Sequence, residues 1–315
     1  ALIPYHREGR RMQGLIRFKV QDISQPYLQP SPLYRTGIAV GDYPIDHHHR
    51  KNPEAPQHLG FYPIPSFSVP LGVLLPALEF KGIIAAEKAI SVSNVVNGTT
   101  RLQPCVLLIG QAAGTLAALA IKGNYSSAKA VPVRAVQAAL LTQKAYLLPY
   151  ADVSLSDKDF YSIQRIGAAG FLRGKGQPNA WANRTWFEPD STLFSYQFLK
   201  DLSVIQIKNT LGKSLTFSLE EPLQKVDKEE RLSIANSIYW VELLQKNIQS
   251  ALPNFSTVTP TAIDQIVRNN WSAWGLTDFN PNRLIKKREL AVLIDKTINP
   301  FVSIEIDHFG NYISP

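Results

Sequence analysis

A long apolar segment, Leu102–Lys122, constrains the fold of this chain more than any other feature. It reads LQPCVLLIGQAAGTLAALAIK and is apolar on nearly every side, which is typical of a helix buried in a protein core. Pro104 suits the first turn of a helix, and Gly123 follows the segment as a stop signal. The apolar run of about 16 residues is shorter than the roughly 20 that cross a membrane. We therefore predict a buried helix and no transmembrane segment.

Two glycines, Gly110 and Gly114, interrupt this helix. Each costs about 1 kcal/mol relative to alanine, and their spacing of four residues places them on one face. Such a smooth face lets a backbone or a flat ligand approach closely, and ordinary tight packing of helix on sheet is the alternative. The unpaired N–H groups and the positive dipole at the start of the helix suit an electron-rich ligand edge.

The composition indicates a folded chain with more than one domain. Apolar residues make up 45% of the 315 residues, which is enough for a core, and this length predicts about two domains. The net charge of +8 is compatible with a nucleic acid, an anionic cofactor or an anionic glycan as partner. The basic residues are scattered, however, so we predict no nucleic-acid partner. Cys105 is the single cysteine, and we expect it to be buried as a small apolar residue.

The patterns of the two halves differ. In residues 1–148 three segments read as strands and a second helix follows, so we predict an α/β or α+β unit. The strands are expected at Gly14–Val20, Thr36–Val40 and Gly82–Ala86, and the helix at Pro132–Thr142. Within 151–315 a helix–loop–helix pattern with a proline in the loop occurs twice, separated by an amphipathic helix at Lys228–Ser250. We predict a mainly α-helical repeat domain there.

The first 148 residues resemble bacterial FAD-dependent oxidoreductases of the glutathione-reductase-like superfamily, a group often labelled xanthan lyases. Gly98, Thr99, Arg101 and Pro104, followed by Gly110–Gly114, are similar to the family's pattern G-[ST]-x-R-x-x-[PQ] followed by G-Q-A-A-G. Upstream segments resemble further family motifs: Arg7–Arg11, Gly41–His48, Tyr62–Ser68 and Ile83–Ser91. The fold class implied is a partial flavoprotein domain, of α/β or α+β type, followed by the helical domain.

The resemblance implies FAD as cofactor and assigns roles to particular residues. Asp46 and His48 would face the substrate as catalytic residues, and a further group would border the flavin: Gly98, Thr99, Thr100, Arg101, Gln103 and Pro104. Arg7 and Arg10 would pair with Glu8 or hold an anionic substrate. The family's A-G-R is here Ala86-Glu87-Lys88, and no G-x-G-x-x-G dinucleotide fingerprint is present. The chain is therefore expected to be a C-terminal portion that is inactive without a dinucleotide-binding part.

The histidine run His47-His48-His49 raises the alternative of a metal site. Two imidazoles without a cysteine or glutamate at ligand spacing make a poor zinc site, so we predict no metal.

The second half vaguely resembles S-layer homology modules, through Trp271–Leu276 and Phe279–Leu290. That resemblance suggests a cell-wall polymer or a protein as partner of residues 151–315, and the flavoprotein resemblance suggests a periplasmic or secreted protein.

Three functions follow from these patterns. The leading one is transfer of a hydride or an electron pair between flavin and an unknown, possibly carbohydrate-related, substrate. The alternative is a non-catalytic module that binds a cell surface or a partner through its helical repeat. A polysaccharide lyase, as the family label implies, would need a tyrosine–histidine–arginine constellation that the sequence does not single out.

Overall fold

The computed structural model describes residues 2, 9–29, 31–48, 53–54, 60–208, 214–216, 219–251 and 263–313. The chain divides into two compact units. The first comprises Ala1–Ala151, Gly174–Trp186 and His308–Gly310, and the second comprises Asp152–Arg173, Phe187–Asp307 and Asn311–Pro315. A hairpin from the second half of the sequence therefore belongs to the first unit.

The first unit combines short strands with two long helices. Its strands form three antiparallel pairs, β1 with β4, β2 with β3, and β5 with β6. In chain order its elements are α1 (Val20–Ser24), β1 (Gly37–Gly41), β2 (Ile45–Asp46), β3 (Phe61–Tyr62), β4 (Phe67–Pro70), α2 (Asn94–Thr100), α3 (Gln103–Lys122), α4 (Val133–Thr142), β5 (Lys175–Gln177) and β6 (Arg184–Trp186).

The core of the first unit lies between the β1–β4 pair and helices α3 and α4. Ile109, Ala112 and Leu116 of α3 are fully buried, at the spacing of one helical face. Gln137 of α4 is buried too, and its side-chain amide donates to the carbonyl oxygens of Arg35 and Gly37 at 2.9 and 2.8 Å. These hydrogen bonds fix α4 to the start of β1 and satisfy a polar group that would be costly to bury alone.

The predicted helices at 102–122 and 132–142 and the predicted strand at 36–40 are confirmed as α3, α4 and β1. The strands predicted at Gly14–Val20 and Gly82–Ala86 are wrong. The first segment makes only single bridges at Gly14 and Phe18, and the second has irregular extended backbone.

A short 3₁₀ helix, Leu71–Leu74, explains why those two strands do not form. It stands beside both segments, and its carbonyl groups accept from separate places, from Ile16 N–H at Gly72 and from Ala85 N–H at Leu74. Carbonyls along a 3₁₀ helix do not form the regular row that a ladder requires. The apolar pattern of these segments reflects burial and not strand pairing.

Helix α3 is not enclosed on all sides, contrary to the prediction. Leu107 is 72% exposed and Ile121 is 76% exposed, and Gly110 and Gly114 on the same side are exposed as well. The β1–β4 pair has only two strands, so within the described residues it covers one face of the helix. By length and composition alone α3 would also qualify as a membrane-crossing helix, a test that core helices of soluble proteins pass too.

The second unit is mostly helical. Its three-stranded sheet has β7 in the centre, antiparallel to β8 and parallel to β9. In chain order its elements are α5 (Phe160–Ala169), α6 (Ser195–Ser203), β7 (Gln206–Lys208), β8 (Ser214–Thr216), α7 (Glu220–Lys225), α8 (Ile234–Ala251), α9 (Ile263–Asn270), α10 (Lys287–Thr297), α11 (Pro300–Ser303) and β9 (Tyr312–Ile313).

Three extended segments meet edge to edge in the second unit, and each leads directly into one of the helices α6, α8 and α10. They are joined by single antiparallel bridges, Thr192 with Lys286, Phe194 with Arg231, and Ser233 with Leu284. The sequence predicted two copies of a repeat with a separate helix between them. In the structure that middle helix, α8, is entered in the same way as the other two, so the arrangement occurs three times.

Lys287 is a buried cation at the start of α10. Its ammonium group donates to the carbonyl oxygen of Arg173 at 2.7 Å and lies 4.6 Å from the ring centre of Phe187. Burial lowers the pKa of Lys287 from 10.5 to about 8, opposed by the negative charges of Glu188, Asp152 and Asp201. The lysine therefore binds its proton less tightly in the folded protein than in the unfolded chain.

Replacing Lys287 with methionine is expected to remove a pH-dependent component of stability. Between pH 8 and 10.5 the unfolded chain keeps the lysine proton that the folded protein has lost, so wild-type stability rises with pH in this window. We expect the free energy of unfolding of the wild type, relative to Lys287→Met, to increase by about 3 kcal/mol from pH 8 to 10.5. Chemical denaturation at several pH values measures this. A difference that stays constant would contradict it, and Lys296→Met, which removes an exposed lysine of the same helix, is the control.

Candidate active site

Three polar side chains, Tyr43, Asp46 and His48, lie together at and beside β2. Nε2 of His48 is 2.8 Å from Oδ2 of Asp46, and the Tyr43 hydroxyl donates to the same oxygen at 3.4 Å. The Asp46 side chain is 13% exposed, whereas that of His48 is 55% exposed. The carboxylate thus orients an imidazole that faces solvent, an arrangement suited to moving a proton.

The Tyr43 hydroxyl acts as a donor in this group. Burial, followed by the negative charge of Asp46 and the hydrogen bond to it, raises the pKa of Tyr43 above its ordinary value. The phenol therefore stays protonated at neutral pH and can donate to the Asp46 carboxylate.

Gly98 of α2 sets how closely this group approaches the helix. A Cβ atom at position 98 would lie 2.7 Å from Nε2 of His47 and 3.0 Å from the carbonyl oxygen of Asp46, closer than real Cβ atoms come. The absence of a side chain at Gly98 therefore allows the 46–47 segment to lie directly on α2.

Two neighbours of Gly98 hold the same segment by hydrogen bonds. The Thr99 hydroxyl donates to the carbonyl oxygen of Tyr43 at 2.6 Å. The Arg101 guanidinium donates to the carbonyl oxygen of Asp46 at 2.7 Å. Hydrogen bonds from charged donors are the stronger kind, and Arg101 is 7% exposed, so water competes little for this bond.

The predicted cofactor residues fall into two groups. The first group is buried and contacts the chain's own backbone; it consists of Gly98, Thr99, Thr100 and Arg101. The exposed fractions of its three side chains are 1% to 7%. Gln103 and Pro104 are exposed at the start of α3. The structure thus brings Asp46 and His48 next to the first group, and it leaves the second group open to a ligand.

The remaining candidate residues are the N-terminal charged residues and the other two histidines of the histidine run. Arg7, Glu8 and His49 lie outside the described residues, and Arg10 is exposed. His47 is buried, with Nε2 3.1 Å from the carbonyl oxygen of Val95. Within the described ranges no group of three or more histidine, cysteine, aspartate or glutamate side chains could hold a metal ion.

A cavity of about 530 Å³ adjoins the first turn of α3 in the first unit. It is lined by residues of β1, α3 and the β5–β6 hairpin, among them Gly41, Asp42, Ser66, Pro104, Tyr146 and Arg184. Burial raises the pKa of Tyr146 above its ordinary value, so this phenol stays protonated. Among the described residues no side chain caps the N-terminus of α3, so no side-chain acceptor offsets the positive end of this helix.

Cys105 follows Pro104 in this turn and is buried, as predicted, at 3% exposure. Burial, and after it the negative charge of Asp42, raises the pKa of the thiol to about 12. The thiolate that redox chemistry at sulfur requires is therefore not formed at neutral pH.

The β5–β6 hairpin contributes site residues that the sequence analysis missed. Asn183 is 3% exposed and donates to the carbonyl oxygen of Asp42 at 2.8 Å. The Thr185 and Ser66 hydroxyls lie 2.7 Å apart. The only signal in the sequence is the turn-rich run Gln177–Asn183, QPNAWAN, and nothing in it shows that the run folds against β1 and β4.

One known family model matches the segment that carries Asp46, His48 and the start of α3. Residues 1–140 match the family model described as FAD dependent oxidoreductase. No curated protein and no solved structure matches the chain. Residues 1–140 are therefore a domain of the FAD-dependent oxidoreductase family, which indicates FAD as the cofactor and a flavin-linked redox activity.

The residues at the start of α3 are compatible with a flavin cofactor. A flavin gains negative charge at its pyrimidine edge on reduction, and an uncapped helix N-terminus beside a cavity provides the matching positive potential. Gln103 and Pro104 are the exposed residues of that turn. Gly98, Thr99 and Arg101 contact the backbone that carries Asp46 and His48, and their predicted position beside the flavin stays a prediction.

Alanine at position 98 is expected to destabilise the protein, whereas alanine at position 110 is expected to stabilise it. At Gly98 the new methyl group meets His47 and Asp46, and overpacking of this kind costs about 1–3 kcal/mol. At Gly110 it meets nothing within 4 Å, and the gain in helix propensity is about 1 kcal/mol. Denaturation of both variants of this chain measures the two effects. Equal effects of the two substitutions would show that the contact at Gly98 is not as tight as described.

Cys105 is expected to resist thiol reagents in the folded protein. Its pKa of about 12, against 9.0 for an exposed thiol, lowers the thiolate fraction at pH 8 about a thousandfold. A chromogenic disulfide reagent should therefore react rapidly only after denaturation. Rapid modification of one thiol per native chain would contradict the burial of Cys105.

Proposed function

We propose that this protein transfers a hydride or an electron pair between a substrate and FAD, with the start of α3 beside the flavin and Asp46 and His48 on the substrate side. The observation that carries the proposal is the first turn of α3, which has no side-chain cap and borders a cavity. This turn lies within the segment that matches the flavoenzyme family. The substrate that we favour is a carbohydrate-related compound.

When bound, the flavin supplies the acceptor for a hydride or an electron pair from a substrate C–H bond. His48, backed by Asp46 at 2.8 Å, is placed to accept the proton of a substrate hydroxyl. Asp46 keeps the imidazole oriented, while Tyr43 donates to the carboxylate. A histidine suits this task because its ring nitrogens can both accept and donate a proton.

Gly98, Thr99 and Arg101 act in this proposal as positioning residues. They hold the carbonyl oxygens of Tyr43 and Asp46, and so fix the strand end that carries the Asp46–His48 pair. Thr100 donates to the carbonyl oxygen of Val96 within α2, so it supports the helix. Gln103 and Pro104 remain as the residues that would contact the flavin.

We further propose that the ADP end of FAD is bound by a dinucleotide-binding part outside this sequence, on the same or another polypeptide. The exposed face of α3 supports this, because Leu107 and Ile121 are exposed and a Cβ atom at Gly110 or Gly114 would meet nothing within 4 Å. The two glycines therefore serve no close packing in the described structure, and a closely packed partner would explain both.

For the second unit we propose the role that its resemblance to S-layer homology modules suggests, which is binding of a cell-wall polymer or a protein. An extended segment precedes each of α6, α8 and α10, and the three segments are joined by single bridges. This repeated arrangement supports a repeat architecture, which is common in interaction modules. We also propose that the fold is a partial flavoprotein domain followed by a helical domain, and that the first domain is similar to the group labelled xanthan lyases.

The natural protein that carries this sequence is expected to purify with bound flavin, and Gln103→Ala in that protein should weaken FAD binding several-fold. Gln103 is exposed beside the positive end of α3, so its loss should change cofactor affinity and leave the melting temperature nearly unchanged. The matched control is Lys122→Ala, which removes an exposed side chain at the other end of the same helix. Flavin absorbance and FAD titration of the stripped protein measure both variants.

Two outcomes would overturn the proposal. One is a natural protein that is colourless and stays so after incubation with FAD. The other is an equal loss of FAD affinity in the Gln103 and Lys122 variants, which would separate the cofactor from the N-terminus of α3.

A further inference from the structure

Three aromatic side chains of the first unit, Tyr43, Phe61 and Trp181, form an exposed aromatic surface beside the Asp46–His48 pair. The ring centres of Phe61 and Trp181 are 4.3 Å apart, and those of Tyr43 and Trp181 are 5.5 Å apart. Trp181 is nevertheless 60% exposed and Phe61 is 40% exposed. These rings contact one another and still present a large part of their apolar area to solvent.

The β2–β3 pair positions Phe61, and the β5–β6 hairpin positions Trp181. Phe61 is the direct partner of Asp46 in the antiparallel β2–β3 pair, so it lies next to the candidate site. Trp181 lies in the loop between β5 and β6, which Asn183 fixes: its amide donates to Asp42 and its oxygen accepts from the N–H of Asn179 at 2.8 Å.

The backbone just before Trp181 is strained. Ala180 has a φ of 52°, in the left-handed region that a residue with a Cβ atom rarely adopts, at a cost of about 1 kcal/mol. The cost is tolerated because Asn183 also donates to the carbonyl oxygen of Ala180 at 3.3 Å. A buried amide thus holds a strained turn whose next side chain is an exposed tryptophan.

The size of the aromatic surface favours a small ligand over a protein partner. Aromatic side chains offer about 150–250 Å² each, so the exposed parts of Phe61 and Trp181 amount to roughly 200 Å². A stable protein interface needs about 800 Å² on each side. The surface matches the area of one or two small rings.

The polar groups beside the surface favour a ligand that is apolar on its face and polar at its edge. His48, Asp46 and the Tyr43 hydroxyl offer both donors and acceptors. A fully apolar ligand would offer these groups no hydrogen bonds, whereas sugar rings combine an apolar C–H face with a rim of hydroxyl groups.

We propose that Phe61 and Trp181 stack against the C–H face of a saccharide ring, and that Asp46 and His48 hydrogen-bond its hydroxyl groups. The inference rests on the proposed function only in taking the Asp46–His48 pair as the reacting end of the site. Saccharide binding itself requires no flavin.

The test is binding of this full chain to a printed panel of neutral and acidic oligosaccharides, followed by calorimetric titration with the best-bound member. We expect Trp181→Ala to weaken that binding about tenfold or more, since it removes the larger stacking ring, and Trp181→Phe to retain most of it. The control is Tyr239→Ala, which removes a ring that is 58% exposed in the second unit and should leave binding unchanged. Because Trp181 is exposed, its variants should fold, which melting curves verify.

Saccharide binding that survives Trp181→Ala, or a wild-type chain that binds no member of the panel, would refute the inference. Loss of binding in both Trp181→Ala and Tyr239→Ala would also refute it. The proposed redox function has a separate readout, because Trp181→Ala should leave the flavin content of the natural protein unchanged. A chain that binds saccharide but whose natural protein never takes up FAD would refute the redox function alone.

Discussion

The contact of Gly98 with the Asp46–His47 backbone is the constraint on which the candidate site depends. Because position 98 has no side chain, the end of β2 lies on α2 at a distance that any Cβ atom would prevent. Only at that distance can Thr99 and Arg101 donate to the carbonyl oxygens of Tyr43 and Asp46. The result is a largely covered carboxylate beside an exposed imidazole, and the close approach at Gly98 holds the backbone that carries both.

The sequence predicts the elements of the first unit where the pattern has a single physical cause. Helix α3 has a proline at its start, a glycine after its end and a continuous apolar run, and its predicted bounds are nearly those observed. The strands predicted at Gly14–Val20 and Gly82–Ala86 failed because apolar runs report burial, and the hydrogen-bonding partner here is the 3₁₀ helix Leu71–Leu74. Local sequence does not contain that partner.

The candidate site was predictable in part for the same reason. Asp46 and His48 are two residues apart, so their contact is local, and their catalytic role stays a prediction from the motif. The roles of Thr99 and Arg101 depend on contacts over 56 and 55 residues, and a motif match alone assigned them to the cofactor. Trp181 and Asn183 are farther still along the chain, in a hairpin that folds with the first unit, and their part in the site emerges only from the tertiary structure.

Under the proposed function, the two faces of α3 would link cofactor binding to stability. One face is buried against β1 and α4, but the other carries two glycines and exposed leucine and isoleucine side chains, and each glycine costs about 1 kcal/mol in helix propensity. Nothing among the described residues offsets this cost. Association with a dinucleotide-binding part would bury that face, and the same association would complete the FAD site at the N-terminus of the helix. Any group that binds only the associated form stabilises it by mass action, so FAD would strengthen the association, and the association would strengthen FAD binding.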